Sequence, residues 1–173
     1  MDDTGRVRTG TGRDVPGVVG LIDESVSWLA TRGREGQWGD QPWSLYPARV
    51  EHLAALVNEG HLLVVDWKQH PAAAVIFGST APKYVPPTDH AELYVHLLVT
   101  GARARGRGLG SRLLRCVETR ASDEGCSQVR VDCWNGGDRR LVRYYEDAGF
   151  TTSTTYDYNG WPGQVLVKAL IPN

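Results

Sequence analysis

Residues 103–114, RARGRGLGSRLL, combine three glycines with four arginines between an apolar stretch and a helical pattern. We name them the glycine–arginine segment. A helix N-terminus leaves backbone N–H groups without intrahelical partners and carries partial positive charge. Glycine lets an anion approach the main chain, and arginine adds a full positive charge. The segment therefore predicts a phosphate-binding site. A tight turn with solvated arginines is the structural alternative.

Two common nucleotide-binding patterns fit this segment poorly. A P-loop requires a lysine before its Ser or Thr, and the segment contains no lysine. The dinucleotide pattern G-x-G-x-x-G begins well with Gly106 and Gly108, but Ser111 occupies the place of its third glycine. A different kind of phosphate loop is needed.

The neighbouring segments read as alternating strands and helices. The apolar run ELYVHLLVT precedes the glycine–arginine segment as a strand, and apolar residues at helical spacing follow from Leu109 to Ala121. Two amphipathic helices are expected nearer the N-terminus, one capped by Asp14 and one ending at Gly60. Apolar runs around KQHP and around NGWPG predict two hairpins. This order predicts an α/β domain with a mixed sheet.

One more strand and helix follow the glycine–arginine segment. The stretch QVRVDCW predicts a strand whose Val129, Val131 and Cys133 face the core. Asp138 is expected to cap a last helix, which Gly149 ends.

Two spaced motifs resemble those of the GCN5-related N-acetyltransferases (GNAT). The spacing Arg105-x-x-Gly108-x-Gly110 after a strand resembles their [RQ]-x-x-G-x-[GA] pyrophosphate loop. The run LVRYYEDAGF at 141–150 resembles their A-x-x-x-Y-x-x-x-G-F helix end. The resemblance implies one acetyltransferase domain over residues 1–173. It also implies a mostly antiparallel sheet flanked by helices on both faces, with the fourth and fifth strands splayed apart.

The same resemblance implies acetyl-CoA as cofactor, bound through the main chain of the fourth strand and of the loop. The N–H of Val99 is expected to face the thioester oxygen. Asp138 stands where the family often has asparagine and offers no amide N–H to the pantetheine arm, so Asn135 is an alternative there. The expected cofactor-binding residues are Leu98, Val99, Thr100, Arg105, Gly106, Arg107, Gly108, Leu109, Gly110, Ser111 and Asp138.

Proton transfer is assigned to three residues. Tyr145 occupies the tyrosine position of the second motif, which implies a general acid for the leaving thiolate; a core tyrosine is the alternative. His96, two residues before Leu98, is the expected base, because imidazole exchanges protons near neutral pH. A hydrogen-bonded strand histidine is the structural alternative, and Glu92 is a second candidate base.

The acceptor is expected to meet the loop over 31–44. Trp38 and Trp43 in that loop, with Tyr94, are the predicted substrate-binding residues, although tryptophans could also pin the loop to the core. Glu92 and Asp40 favour a cationic amine. Three functions stay open: acetylation of a small-molecule amine, acetylation of a protein N-terminus or lysine, and non-catalytic acyl-CoA binding in a regulator. The two tryptophans favour the first.

Composition excludes other classes. The formal net charge of -1 argues against a nucleic-acid partner, and no apolar run predicts a membrane span. Three cysteines without a C-x-x-C pair argue against a metal site or a disulfide framework, and they favour a cytoplasmic location. The N-terminus has no signal-peptide pattern. A homodimer is expected only by analogy with the family.

Overall fold

The computed structural model describes residues 5–171, which form a mixed α/β fold. The strands make one seven-stranded sheet in the order β1-β2-β3-β4-β5-β7-β6, and its β4–β5 pair is parallel. The expected mixed, mostly antiparallel sheet is therefore confirmed. The strands are β1 (Arg6–Thr9), β2 (His61–Trp67), β3 (His70–Gly78), β4 (Glu92–Thr100), β5 (Gln128–Trp134), β6 (Thr151–Tyr158) and β7 (Trp161–Ala169). The helices are α1 (Val15–Ala30), α2 (Pro47–Glu59), α3 (Leu109–Asp123) and α4 (Arg140–Asp147).

The chain groups into two compact units. The first contains the described residues up to Phe77 together with Leu97–Leu114, and the second contains Gly78–His96 and the described residues from Arg115 onward. Strand β4 and helix α3 each contribute to both units. A single domain over 1–173 stays a prediction.

The first unit packs α1 and α2 against strands β2 and β3. Apolar residues recur along α1 at helical spacing, so that Val15, Val18, Ile22 and Val26 form one buried stripe. This stripe meets Leu53 of α2, so both helices are held by apolar burial.

The start of α1 differs from the prediction. The carboxylate of Asp14 makes no cap on α1; it accepts the Thr11 N–H at 2.8 Å and pairs with Arg8 at 2.7 Å. The Arg8 guanidinium lowers the pKa of Asp14. Pro16 still lies in the first turn of α1, where its missing N–H costs nothing. Asp14 therefore fixes the entry to the helix from outside it.

The first hairpin is tighter than KQHP suggested. Only Lys68 and Gln69 separate β2 from β3, and both have positive φ, 50° and 66°. Such a two-residue turn matches the twist of an antiparallel pair, and β3 therefore begins at His70.

The second unit contains the parallel pairing and the second hairpin. The ladder between β4 and β5 reaches Val95 and Val131, whereas β5 continues to Trp134 alongside β7. A ladder that ends before its strand ends agrees with the expected splay. Asn159 and Gly160, with φ of 52° and 83°, form the tight turn between β6 and β7.

Candidate active site

The main chain of the glycine–arginine segment is accessible where α3 begins. Gly106 and Gly108 have φ of 74° and 71°, and a Cβ added at either would meet nothing within 4 Å. The first hydrogen bond into α3 runs from the Arg112 N–H to the Gly108 carbonyl at 3.0 Å. The N–H groups of Leu109, Gly110 and Ser111 precede it, so they have no acceptor within the helix. These features fit a phosphate group.

The side chain of Arg105 points elsewhere than the sequence suggested. Its guanidinium carbon lies 3.7 Å from the ring centroid of Trp28 in α1, and its Nη2 donates to the Ser25 hydroxyl at 3.2 Å. Its buried Nε has no hydrogen-bond partner within residues 5–171. Burial, and then repulsion by Arg32, lower the pKa of Arg105. Arg105 thus anchors the segment to α1 and leaves positive charge there.

Other basic residues lie around the segment. Arg107 stacks over Trp67 at 4.2 Å, and Arg112 donates to the Gly5 carbonyl at 2.8 Å. A cleft of about 390 Å³ is lined in part by Trp67, Lys68 and Arg103. The surroundings of the segment are positive and aromatic.

The end of β4 supplies main chain next to the segment. Leu97 and Val99 are buried in the core of the first unit, whereas Leu98 and Thr100 are partly exposed. The Thr100 carbonyl accepts the Ser25 hydroxyl at 3.5 Å, a long hydrogen bond. The structure places the predicted cofactor residues from Leu98 to Ser111 on one continuous stretch, the end of β4 and the start of α3.

Tyr145 lies inside the second unit on α4. It is 5% exposed, and its ring packs edge-on against Tyr144 and Phe150 with centroids 5.3 and 5.8 Å away. Burial raises the pKa of Tyr145 well above its usual range, and Cys133 and Tyr144 add to the effect. The phenol therefore keeps its proton near neutral pH, and in proton transfer it can serve as an acid but not as a base.

His96 lies beside a partly buried polar cluster. Its ring centroid is 5.2 Å from that of Tyr94, and the Tyr94 hydroxyl donates to one carboxylate oxygen of Asp132. The Tyr156 hydroxyl donates to the other oxygen at 2.5 Å. Tyr94 is 0% exposed and its hydroxyl is bound to Asp132, so the geometry favours a structural role for it. Its contact with an acceptor stays a prediction.

Glu92 is engaged in an ion pair. Its two carboxylate oxygens accept from Arg130 Nε at 2.6 Å and Nη2 at 2.7 Å, and Gln128 Nε2 donates at 2.9 Å. Both charged side chains are 7% exposed. A proton taken up by Glu92 would disrupt a bidentate, buried pair, so the geometry favours a structural role. The expected inward face of β5 was incomplete, because Gln128 and Arg130 are buried as well.

Trp38 and Trp43 pack partly buried against the core of the first unit. The Trp43 indole N–H donates to the Trp38 carbonyl at 3.0 Å, and the Trp43 backbone N–H donates to Asp23 at 2.6 Å. The geometry favours the alternative in which they pin the loop to the core. Their role with an acceptor stays a prediction.

Asp138 acts at the start of α4. Its carboxylate accepts the Arg140 N–H at 3.1 Å, and Arg139, with φ of 55°, separates it from the helix. It thus caps α4 from one residue further away than expected.

Residues 5–171 contain no group of three or more His, Cys, Asp or Glu side chains placed to hold a metal ion. The three cysteines are free. Over the same residues, no helix has the length and apolarity needed to span a bilayer.

Sequence reasoning missed the Asp132 cluster and the Arg105–Trp28 contact. The sequence signal for the first is a pair of charged residues, Arg130 and Asp132, that alternate with apolar residues in β5. The partners Trp28 and Tyr156 are distant in sequence, and no spacing rule connects them.

Comparison with known proteins agrees with this geometry. Residues 24–150 match the Acetyltransferase (GNAT) family, and the chain therefore belongs to that family of N-acetyltransferases. Among relatives, it is 29% identical to the uncharacterised N-acetyltransferase YesJ of Bacillus subtilis over 143 residues, 79% of this chain and 76% of that protein. It is 40% identical to the blasticidin-S acetyltransferase of Streptomyces morookaense over 81 residues, 45% of this chain and 57% of that protein.

A solved structure shares the fold. A GNAT-family acetyltransferase from Listeria monocytogenes superposes with a TM-score of 0.71 at 19% identity, over 96% of this chain and 95% of that chain.

Proposed function

We propose that this protein is an acetyl-CoA-dependent N-acetyltransferase that acetylates a primary amine of a small molecule by direct attack in a ternary complex. The observation that carries the proposal is the accessible main chain at the start of α3, with arginine side chains around it. The chain also belongs to the acetyltransferase family. The cysteine composition supports a cytoplasmic location.

The glycine–arginine segment would hold the cofactor's pyrophosphate. The N–H groups from Gly106 to Ser111 would bind its oxygens, and Arg105 and Arg107 would supply charge around them. Main-chain groups from Leu98 to Thr100 would bind the pantetheine arm. When bound, acetyl-CoA supplies an acetyl group activated as a thioester.

Tyr145 would donate the proton that the departing sulfur needs. Its buried phenol retains the proton over the working pH range because its pKa is raised. A neutral donor in a dry environment suits protonation of a thiolate.

His96 would take the proton from the incoming ammonium. Of the two candidate bases, Glu92 has both oxygens bound by Arg130, whereas His96 is partly exposed beside Tyr94. We therefore assign Glu92 a structural role and His96 the catalytic one.

A small-molecule acceptor is favoured over a protein. One relative, 40% identical over 45% of this chain, is a blasticidin-S acetyltransferase. A protein acetyltransferase and a non-catalytic acyl-CoA-binding regulator are the alternatives.

The function is tested with an amine library and acetyl-CoA, with free thiol as readout. We expect Tyr145→Phe to lower kcat by about a hundredfold while the fold is retained, because only the proton donor is removed. Tyr144→Phe is the matched control and should keep wild-type turnover. Burial raises the pKa of Tyr145, so this residue keeps its proton at every pH below about 10. Deprotonation of Tyr145 should therefore cause no loss of activity in that pH range. Wild-type turnover in Tyr145→Phe would remove Tyr145 from the mechanism.

The role of His96 is tested by a pH profile. In the wild type kcat/KM should rise with pH as the imidazole loses its proton, and His96→Gln should lose that rising limb. His90→Gln, in an exposed loop position, is the control. If the limb survives in His96→Gln, it belongs to the acceptor amine instead.

A further inference from the structure

The carboxylate of Asp132 on β5 is bound by tyrosine hydroxyls. It is partly exposed and accepts two hydroxyl hydrogen bonds, from Tyr94 and Tyr156. A carboxylate has about four acceptor positions, so each oxygen can still accept from another donor. Burial raises the pKa of Asp132, and the two hydroxyls oppose that rise.

The nearest cation on the same strand is already committed. The Arg130 guanidinium binds both oxygens of Glu92, and its Nη1 donates to the Pro86 carbonyl at 2.7 Å. Hydroxyl donors stabilise a negative charge without neutralising it, and a charge withdrawn from water is costly unless it is paired.

Further aromatic rings lie next to Tyr156, whose hydroxyl binds this carboxylate. The Tyr84 ring centroid lies 5.1 Å from that of Tyr156 and 4.9 Å from that of Tyr158. Tyr84 is 42% exposed and Tyr158 is 53% exposed. We name these three residues the tyrosine wall. The faces of such rings attract organic cations, and the carboxylate that binds Tyr156 adds the opposite charge.

We propose that Asp132 and the tyrosine wall together bind an alkylammonium group of the acceptor. The acceptor is then an organic cation. Asp132 and the tyrosine wall hold one charged group of this cation while an amine of the acceptor is acetylated. This inference rests on the proposed function for the identity of the ligand as an acceptor, but the cation site itself does not depend on it.

Binding is tested by calorimetry on the full chain at fixed salt. The probes are putrescine and tetramethylammonium, with butanediol as the neutral counterpart of putrescine. Wild type should bind the cations and not the diol. Asp132→Asn keeps the shape of the side chain and removes its charge, so cation affinity should fall at least about tenfold. Asp123→Asn, which removes an exposed charge at the end of α3, should bind as wild type does.

A second variant keeps the test decisive if Asp132→Asn folds poorly. Tyr84→Leu removes an exposed ring and should weaken binding about three- to tenfold, whereas Tyr84→Phe keeps the ring and should bind nearly as wild type. Equal binding in Asp132→Asn and wild type, binding of the diol, or no binding of either cation to wild type overturns the inference.

Turnover separates this inference from the proposed function. If amines are acetylated but neither cation binding nor preference for putrescine over butylamine depends on Asp132, the cation site is wrong and the proposed function stands. If cation binding depends on Asp132 but acetyl-CoA releases no thiol with any amine, the proposed function fails and the cation site stands.

Discussion

Arg130 and Arg105 are both at least partly buried, but their positive charges are compensated to different extents. Arg130 forms a bidentate pair with Glu92, which raises its pKa. Arg105 stacks on Trp28, and its buried Nε has no hydrogen-bond partner among the described residues 5–171. Burial and then Arg32 lower the pKa of Arg105, and attraction from Glu24 opposes them more weakly. A neutralised charge belongs to the framework. A charge left uncompensated beside accessible main chain is the pattern expected of an anion-binding site.

The largest effect should come from breaking the neutralised pair. Arg130→Met leaves the Glu92 carboxylate buried without its partner and should lower the free energy of unfolding by about 3–5 kcal/mol. Arg105→Met strands no carboxylate and should cost about 1 kcal/mol or less. Denaturant unfolding of both variants measures the difference. Equal losses would erase the contrast.

The next effect concerns the main chain of the glycine–arginine segment. Gly108→Glu places bulk and negative charge where a phosphate would approach, so coenzyme A affinity should fall at least about a hundredfold by calorimetry. Because φ at Gly108 is 71°, some backbone strain is expected as well.

A matched control isolates that strain. Gly125 has φ of 75° and open space at its Cβ, like Gly108, but it lies at the end of α3. Gly125→Glu should lose similar stability and keep wild-type affinity for coenzyme A. Unchanged affinity in Gly108→Glu would remove the segment from cofactor binding.

A smaller effect is expected at the Arg105 side chain. Arg105→Met removes one positive charge and the anchor to α1, and coenzyme A binding should weaken about tenfold. Arg143→Met removes an exposed charge on α4 and should leave binding unchanged. If both variants bind equally well, Arg105 contributes only packing.

The smallest effect is a difference in salt dependence between coenzyme A binding and the stability contributed by Arg130. Raising ionic strength from ~0.05 to ~0.5 M should weaken coenzyme A binding severalfold, because exposed charges are screened. The stability difference between wild type and Arg130→Met should change by less than about 0.5 kcal/mol, since a buried pair is screened much less. Similar salt dependence in both measurements would contradict the assignment.

Local patterns predicted much of this structure. The helical spacing in α1 and α3, and the two hairpins, could be read from the sequence because neighbouring residues determine them. The loop after β4 could be placed by the spacing of Gly108 and Gly110. Turn lengths were less accurate, because positive φ at Lys68 and Gln69 depends on the twist of the paired strands.

Side-chain partners at long range could not be predicted. The sequence leaves Glu92 open as a candidate base, because its partner Arg130 is distant in sequence and only the fold brings the two together. No sequence pattern singles out Asp132, because the hydroxyl groups that bind its carboxylate come from Tyr94 and Tyr156 on two other strands. Charge in a strand acquires a role only through partners that the fold brings to it.

The proposed activity of this protein is acetyl transfer from a cofactor held by the glycine–arginine segment. The most direct measurement supplies acetyl-CoA labelled in its acetyl group to the amine library and follows the label by mass spectrometry. We expect a labelled acetyl amide on an amine with the wild-type and Gly125→Glu proteins, and strong loss of that product with Gly108→Glu. Coenzyme A binding without label on any amine, or equal label from Gly108→Glu, would contradict it.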